Sequence, residues 1–260
     1  MLNTTYTNNS ACYRIFKARP NASKRLIILP HAGGSASYFR QWANIADSDL
    51  EVVVVQYPGR ENRMAEPLIS NMDRLVSNLA TGLKAILNKP YILFGHSMGG
   101  GIAYELAMRI QAYRYPPPTQ LVVSAVEGPS CHHATEVHKA PDEVMLNELK
   151  RLNGTEVDLN ALPELLEMML PLLRNDYQLI ETYKPNLNAP KLQYPITVML
   201  GSTDTELTYE EAQAWQQVSS QPINIKVYEG GHFYLANHVE AILTHLGTLF
   251  PVQKTWLCAP

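Results

Sequence analysis

Cysteine is nearly absent from this 260-residue sequence: Cys12, Cys131 and Cys258 are odd in number, far apart and never in CxxC spacing. That argues against a disulfide framework or a structural zinc site and for a reducing, cytoplasmic compartment. Charge is sparse too, at 17% of residues, with 21 basic against 24 acidic side chains. A net charge of −3 lacks the basic excess of a nucleic-acid binder, so no such partner is expected. No apolar run approaches the roughly 18 residues of a membrane span. The first 25 residues, MLNTTYTNNSACYRIFKARPNASKR, hold no signal-peptide core. A soluble chain without membrane contact is the expectation.

What the sequence does have is apolar content, 46% of residues, enough for a sizeable core. Its length fits a single α/β domain. Short β-branched runs alternate with longer helical patterns, the signature of βαβ units and a mostly parallel sheet. The strand candidates are 26–30, 51–57, 91–95, 120–125, 195–201 and 224–230, with an antiparallel edge strand around 12–17. Their nearly unbroken apolar character suits strands covered by helices on both faces. Helices are expected over 35–46, 70–88, 98–113, 208–219 and 235–249. In the second of these, Met72, Leu75, Leu79, Leu83 and Ile86 form one apolar stripe, with Ser70 or Asn71 as cap and Pro90 beyond its end. From Gly128 to Pro190 no good strand occurs. Two helical patterns fill it, 141–154 and one from Pro163 onward that is interrupted by Pro171. An insertion of this kind is a lid over the strand C-termini or a helical subdomain of purely structural role.

The chemistry concentrates in YILFGHSMGGG, where Gly95-His96-Ser97-Met98-Gly99 is a GxSxG pentapeptide between a strand and a helix. That context is the one a nucleophile elbow requires, and it puts the Ser97 hydroxyl at a helix N-terminus. A serine hydroxyl needs a base, and the base an orienting carboxylate. Among the downstream histidines only His232 follows a strand directly, after two glycines; His238 and His245 read as ordinary residues of the last helix, and His96 as packing. Asp204 lies three residues past a strand end, with Glu206 as its rival, whereas Asp142, Asp158 and Asp176 fall in the insertion. Ser97, Asp204 and His232 would thus converge at one edge of the sheet. Oxyanion donors are expected at the N–H of Met98 and, from the glycine-rich loop HAGGSAS, of Ala32. Cys131, His132, His133 and His138 lack firm zinc spacing, so no metal and no dissociable cofactor is expected.

Six segments then carry a family resemblance: LPHAGGSASYFRQW, VVQYPGRENRMAEP, FGHSMGGGIAYELA, LPLLRNDYQLIETY, MLGSTD and GGHFYL. Together they resemble the type II thioesterases, the discrete editing hydrolases that accompany non-ribosomal peptide and polyketide synthases. The PGRxxR and LLRxDxxxxExY segments have no part in the triad argument and separate this family from ordinary lipases. The resemblance implies an α/β-hydrolase fold spanning 1–260, with residues 1–25 as an unmatched extension and about 128–190 as a helical lid. It implies Ser97 as nucleophile, His232 as base, Asp204 as its partner, and Ala32 and Met98 as oxyanion donors. The reaction would be hydrolysis of stalled acyl groups from the phosphopantetheine of acyl or peptidyl carrier proteins by a monomer. A product-releasing thioesterase, a carboxylesterase and a non-catalytic binding module are the other readings. Arg60, Arg63 and the N-terminal basic residues could meet an acidic carrier or simply be solvated. One departure stands out: members read GHSMGA, whereas here Gly100 and Gly101 follow Gly99, each glycine costing a helix about 1 kcal/mol relative to alanine.

Overall fold

Apolar strands need cover on both faces, and alternation along them decides which residue meets which layer. A computed structural model of the chain describes residues 12–152 and 163–251. Seven strands are present among them: β1 Tyr13–Arg14, β2 Lys24–Leu29, β3 Leu50–Val55, β4 Tyr91–His96, β5 Gln120–Ser124, β6 Ile196–Gly201 and β7 Asn224–Tyr228. They form one sheet in the order β1-β3-β2-β4-β5-β6-β7. Every pairing is parallel except that of β1 with β3. The helices are α1 Arg40–Ile45, α2 Met72–Leu83, α3 Met98–Ala112, α4 Asp142–Arg151, α5 Pro163–Glu181, α6 Tyr209–Gln213 and α7 Val239–Thr248.

Two apolar layers result. Ile27, Leu29 and Leu93 point to the face where α2 and α3 deliver Leu75, Leu79, Ile102 and Leu106. Their neighbours Leu26, Ile28, Ile92 and Phe94 point to the opposite face, packed against Trp42 of α1 and Ile242 and Leu246 of α7. The chain runs outward from β2 to β3 on one side and resumes at β4 on the other. That reversal opens a crevice at the C-terminal ends of β2 and β4, where open α/β sheets bind ligands. Sequence placed all six main strands, with end points shifted by at most two residues.

The helical expectations need more revision. Residues 35–46 divide into a 3-10 turn, Ala36–Phe39, and the short α1. Segment 208–219 likewise holds α6, started by a Thr208–Glu211 capping box, and a second 3-10 turn, Ala214–Val218. In the 70–88 segment α2 ends at Leu83 and a 3-10 turn continues to Ile86. Asn71, not Ser70, caps α2, its side chain accepting the Arg74 N–H at 2.9 Å. The final helix starts at Val239, so His238 precedes it and donates from Nε2 to the Glu229 carbonyl at 2.8 Å.

The insertion between β5 and β6 carries α4 and α5, with residues 153–162 outside the described part. Pro171 does not interrupt α5, which runs 19 residues through it. The proline removes the hydrogen bond to the carbonyl of Glu167, an exposed residue that water can serve. At the N-terminus, residues 1–11 lie outside the described part, but Cys12–Arg25 belongs to the fold rather than to an extension. Cys12 is buried, and Arg25 Nε reaches Glu51 at 2.8 Å. Among the described residues no helix is long and apolar enough to cross a membrane.

The unusual Gly100 has a packing reason. A Cβ there would lie 2.5 Å from Val126 Cγ1, a stiff β-branched side chain. Overpacking of this kind costs about 1–3 kcal/mol, against about 1 kcal/mol gained in helix propensity. Gly100→Ala is therefore expected to lower unfolding free energy by about 1 kcal/mol, and the loss to vanish when Val126→Ala is present. Urea unfolding of the four proteins checks this; a single Gly100→Ala variant more stable than the native chain would refute it.

Candidate active site

Strand β4 ends in a turn that only a tightly packed backbone can enforce. Ser97 has φ 53° and ψ −124°, a strained conformation for a residue with a Cβ, costing about 1–3 kcal/mol. Its N–H is held by the Ser124 carbonyl at 2.8 Å, and its own carbonyl accepts the Gly100 N–H at 2.7 Å. Gly95 and Gly99 leave the space. A Cβ on Gly95 would meet the Gly99 carbonyl oxygen at 2.1 Å, and one on Gly99 the Leu29 oxygen at 2.0 Å. Helix α3 thus starts directly against β2 and β4, with Ser97 at its positive end.

Three loops then meet. Ser97 Oγ lies 3.0 Å from His232 Nε2, and His232 Nδ1 lies 3.1 and 3.2 Å from the Asp204 oxygens. The Asp204 side chain has no exposed surface and that of His232 only 5%. Asp204 Oδ1 also accepts the Glu206 N–H at 2.9 Å, which fixes the carboxylate. Gly201 brings the two loops together, since a Cβ there would lie 2.4 Å from both the Gly230 and Gly231 carbonyl oxygens. The rival Glu206 is engaged elsewhere, with Oε1 on Arg151 of α4 at 2.5 Å. Among the described residues, the N–H groups of Ala32 and Met98 have no hydrogen-bond partner.

Around His232 stands an aromatic cluster. The rings of His96 and Phe233 are 5.4 and 5.3 Å from it, and His31 packs on His96 and Phe233 at 5.9 and 4.9 Å. Burial lowers the pKa of His31 to about 3, helped by the neighbouring His232 and Arg60 charges. Burial drives His96 well down as well, while its Nδ1 shares a 2.9 Å hydrogen bond with Ser124 Oγ.

A cavity of about 940 Å³ lies over this floor. Ser97, Ala32 and His232 line its base, and Leu152, Met169 and Ile180 of the insertion line its roof. The histidines of the insertion go to separate carboxylates: His132 to Glu127 at 3.0 Å, His133 to Glu211 at 3.6 Å, and His138 to Glu181.

Sequence reasoning misread Arg60, which is neither a carrier contact nor a solvated charge. Arg60 is only 4% exposed, and Asp176, in the C-terminal half of α5, is 2% exposed. They form a bidentate pair at 2.8 and 2.9 Å, and Arg60 Nη1 also donates to the Gly34 carbonyl at 2.9 Å. Asp176 Oδ2 accepts the Gly33 N–H at 2.9 Å. Arg63 is committed too, to the Gln56 carbonyl at 2.7 Å and to Glu66. Neither arginine is presented to a partner surface. The two motifs that the triad left unused, PGRxxR and LLRxDxxxxExY, are thus partners of each other. No local pattern announces a pair 116 residues apart; the shared lack of a catalytic role was the available clue.

Fold and constellation together are of the α/β-hydrolase type, with a serine, a histidine and a carboxylate in one hydrogen-bonded line past the strand ends. Comparison narrows the class: the chain belongs to the thioesterase-domain family, which matches residues 24–250. It is 38% identical over 222 residues to the probable cadicidin biosynthesis thioesterase of Streptomyces griseus, covering 85% of this chain and 61% of that one. The chain thus spans less than two thirds of that relative's length. Among solved structures it superposes on BorB, the type II thioesterase from the borrelidin biosynthetic cluster, with a TM-score of 0.84 and 38% identity. That match covers 92% of this chain and 97% of BorB. YbtT, a type II thioesterase from the yersiniabactin NRPS/PKS pathway, gives a TM-score of 0.81 at 28% identity, over 92% and 98%.

The depressed His31 makes a prediction about acid. It stays neutral when folded but binds a proton near pH 6.5 when unfolded. Stability from this site is therefore complete above about pH 6.5 and is lost as pH falls toward 3. The loss at pH 5 is about 2 kcal/mol. Thermal unfolding between pH 7.5 and 5 should show a shallower pH slope in His31→Gln than in the native chain; equal slopes would contradict it.

Proposed function

We propose that this protein hydrolyses acyl groups from the phosphopantetheine thioesters of acyl or peptidyl carrier proteins, through an acyl-enzyme on Ser97. The observation that carries the reading is the unbroken hydrogen-bonded line from Ser97 Oγ through His232 to Asp204 at the base of the cavity.

On this reading a group is assigned to each step. His232 Nε2 takes the Ser97 proton as Oγ attacks the thioester carbonyl, and the buried Asp204 carboxylate holds the imidazole by its Nδ1–H and stabilises the imidazolium. The N–H groups of Ala32 and Met98 receive the charge that develops on oxygen, helped by the N-terminus of α3. Collapse expels a thiolate, and His232 returns the proton to it. Thiol pKa values near 8.5 make this departure easier than that of an amine. Water then enters along the same path, activated by His232, and frees the acid and Ser97.

A thioester on a carrier is favoured by the family and by the pathways named for BorB and YbtT. The apolar roof from α4 and α5 suits an acyl chain, and the cavity is at the upper end of small-ligand size, with room for the end of the pantetheine arm. Helices α4 and α5 would act as the lid. A thioesterase of this kind would clear stalled groups in the cytoplasm, alongside the synthases.

The test is release of a short acyl group from a loaded carrier, with the matching nitrophenyl ester as comparison. Carrier deacylation is expected to fall by at least about 10³-fold in Ser97→Ala and His232→Ala, with Asp204→Asn also strongly impaired. Good cleavage of the ester with the carrier ignored would favour a carboxylesterase. Native turnover of neither would leave a binding module.

A further inference from the structure

An oxyanion donor works only if its N–H is already aimed when charge develops, so something must hold the loop that carries it. Loop 31–35 has little to hold itself. Gly33 sits at φ +72°, and Gly34 N–H closes a turn onto the His31 carbonyl at 3.0 Å. Two further groups point away from the turn, the Gly33 N–H and the Gly34 carbonyl. Each meets one half of a buried ion pair: Asp176 Oδ2 accepts the first and Arg60 Nη1 donates to the second, both at 2.9 Å. Leu173, one turn before Asp176 on α5, closes over Gly33 so tightly that a Cβ would meet its Cδ2 at 2.6 Å. Arg60 is held in turn by the loop after β3, with its guanidinium 5.1 Å from the Tyr57 ring. The Tyr57 hydroxyl donates to the Pro30 carbonyl at 3.1 Å, immediately before the loop.

We infer that Arg60 and Asp176 are positioning residues for catalysis: they clamp Gly33 and Gly34 and so aim the Ala32 N–H at the reacting carbonyl oxygen. This role rests on the proposed reaction at Ser97. The clamp consumes the Gly33 N–H, which would otherwise compete as a donor, and leaves that of Ala32 unpartnered beside Ser97. A fork is needed on one side and a carboxylate on the other. Asp176 accepts from Gly33 and from both Arg60 nitrogens, and an asparagine there has a single acceptor oxygen and turns its amide toward a donor. A lysine at position 60 keeps the charge but cannot reach the Gly34 carbonyl and both carboxylate oxygens together.

The experiment compares the native chain with Asp176→Asn, Arg60→Lys and Arg60→Met, well below their unfolding temperatures. The readouts are kcat and KM on an acyl carrier and the affinities of two probes. One is an acyl trifluoromethyl ketone, which adds to Ser97 and places an oxyanion in the hole. The other is the inert thioether of the same chain. Asp176→Asn and Arg60→Met should lose about 100-fold in kcat, the scale of one missing oxyanion donor, with KM changed less than about twofold. Ketone affinity should fall by the same factor while thioether affinity stays. The pH midpoint of kcat/KM should not move, and Arg60→Lys should retain more activity than Arg60→Met. Folded variants with kcat within about threefold of native, or losing ketone and thioether affinity alike, would overturn the inference while leaving the reaction at Ser97 intact. A native chain that neither hydrolyses the thioester nor binds the ketone would overturn the reaction and this role with it. Where a variant does not fold, amide exchange in the native chain decides: the Gly33 N–H must exchange at least about 100-fold slower than an unbonded loop amide. Exchange at the unbonded rate would also overturn the clamp.

Discussion

Everything at this site depends on the closeness with which the first turn of α3 meets the ends of β2 and β4. Bare Gly95 and Gly99 allow carbonyl oxygens to occupy the space where side chains would begin. The consequence is a serine forced to positive φ at a helix N-terminus. The strain is not relieved locally; it is carried by the rest of the sheet, whose parallel pairings and two apolar layers are what hold the turn in place. Gly201 repeats the device further along, where it lets the β6 and β7 loops touch so that Asp204 can reach His232.

Electrostatics at the site follow from dryness. His232 and Asp204 are almost fully enclosed, and the rings about them keep His31 and His96 neutral by burial. Two neutral imidazoles beside His232 add packing without adding charge that would oppose an imidazolium. The insertion contributes polar cross-links of another sort. Glu181 of α5 accepts the N–H groups of Val137 and His138 at 2.7 and 3.0 Å, and Tyr183 donates to Glu105 of α3 at 2.5 Å. Glu181 ties the insertion to itself, while Asp176 on Arg60 and Gly33, with Tyr183 just past the helix, roots the C-terminal half of α5 in the main body.

Much of this was legible in the sequence because the signals were local. Apolar runs marked the strands, a strand and a helix flanked Ser97, and Asp204 and His232 each followed a strand end. The Asn71 cap could be narrowed to two residues for the same reason. What could not be read depended on contacts remote along the chain. Whether Pro171 ends a helix is decided by whether water can serve a carbonyl and by the packing of the flanking turns, neither of which the residue type reveals. Segments 35–46 and 208–219 show enough apolar spacing for a helix, yet both use 3-10 turns, which periodicity does not separate from α-helix over so few residues. Arg60 looked like a surface charge because its partner lies on a helix far along the chain. Gly100 looked like a weakness because Val126, which occupies the space, is on another strand's loop.

The rooting of α5 has a bearing on redesign. Leu173, Tyr177 and Ile180 line the cavity on the same helix that carries Asp176 to the Gly33 loop. On the proposed reaction, enlarging or shrinking those side chains would shift the helix that holds the loop, so a change made there for the sake of acyl length would act on rate as well. Leu149 and Leu152, at the end of α4, line the cavity on a helix tied to the other side of the site, through Arg151 on Glu206, whose N–H holds Asp204. On the proposed reaction, a change of acyl-chain selectivity made from the α4 wall would act on the Asp204 side of the site, and one made from α5 on the Gly33 loop.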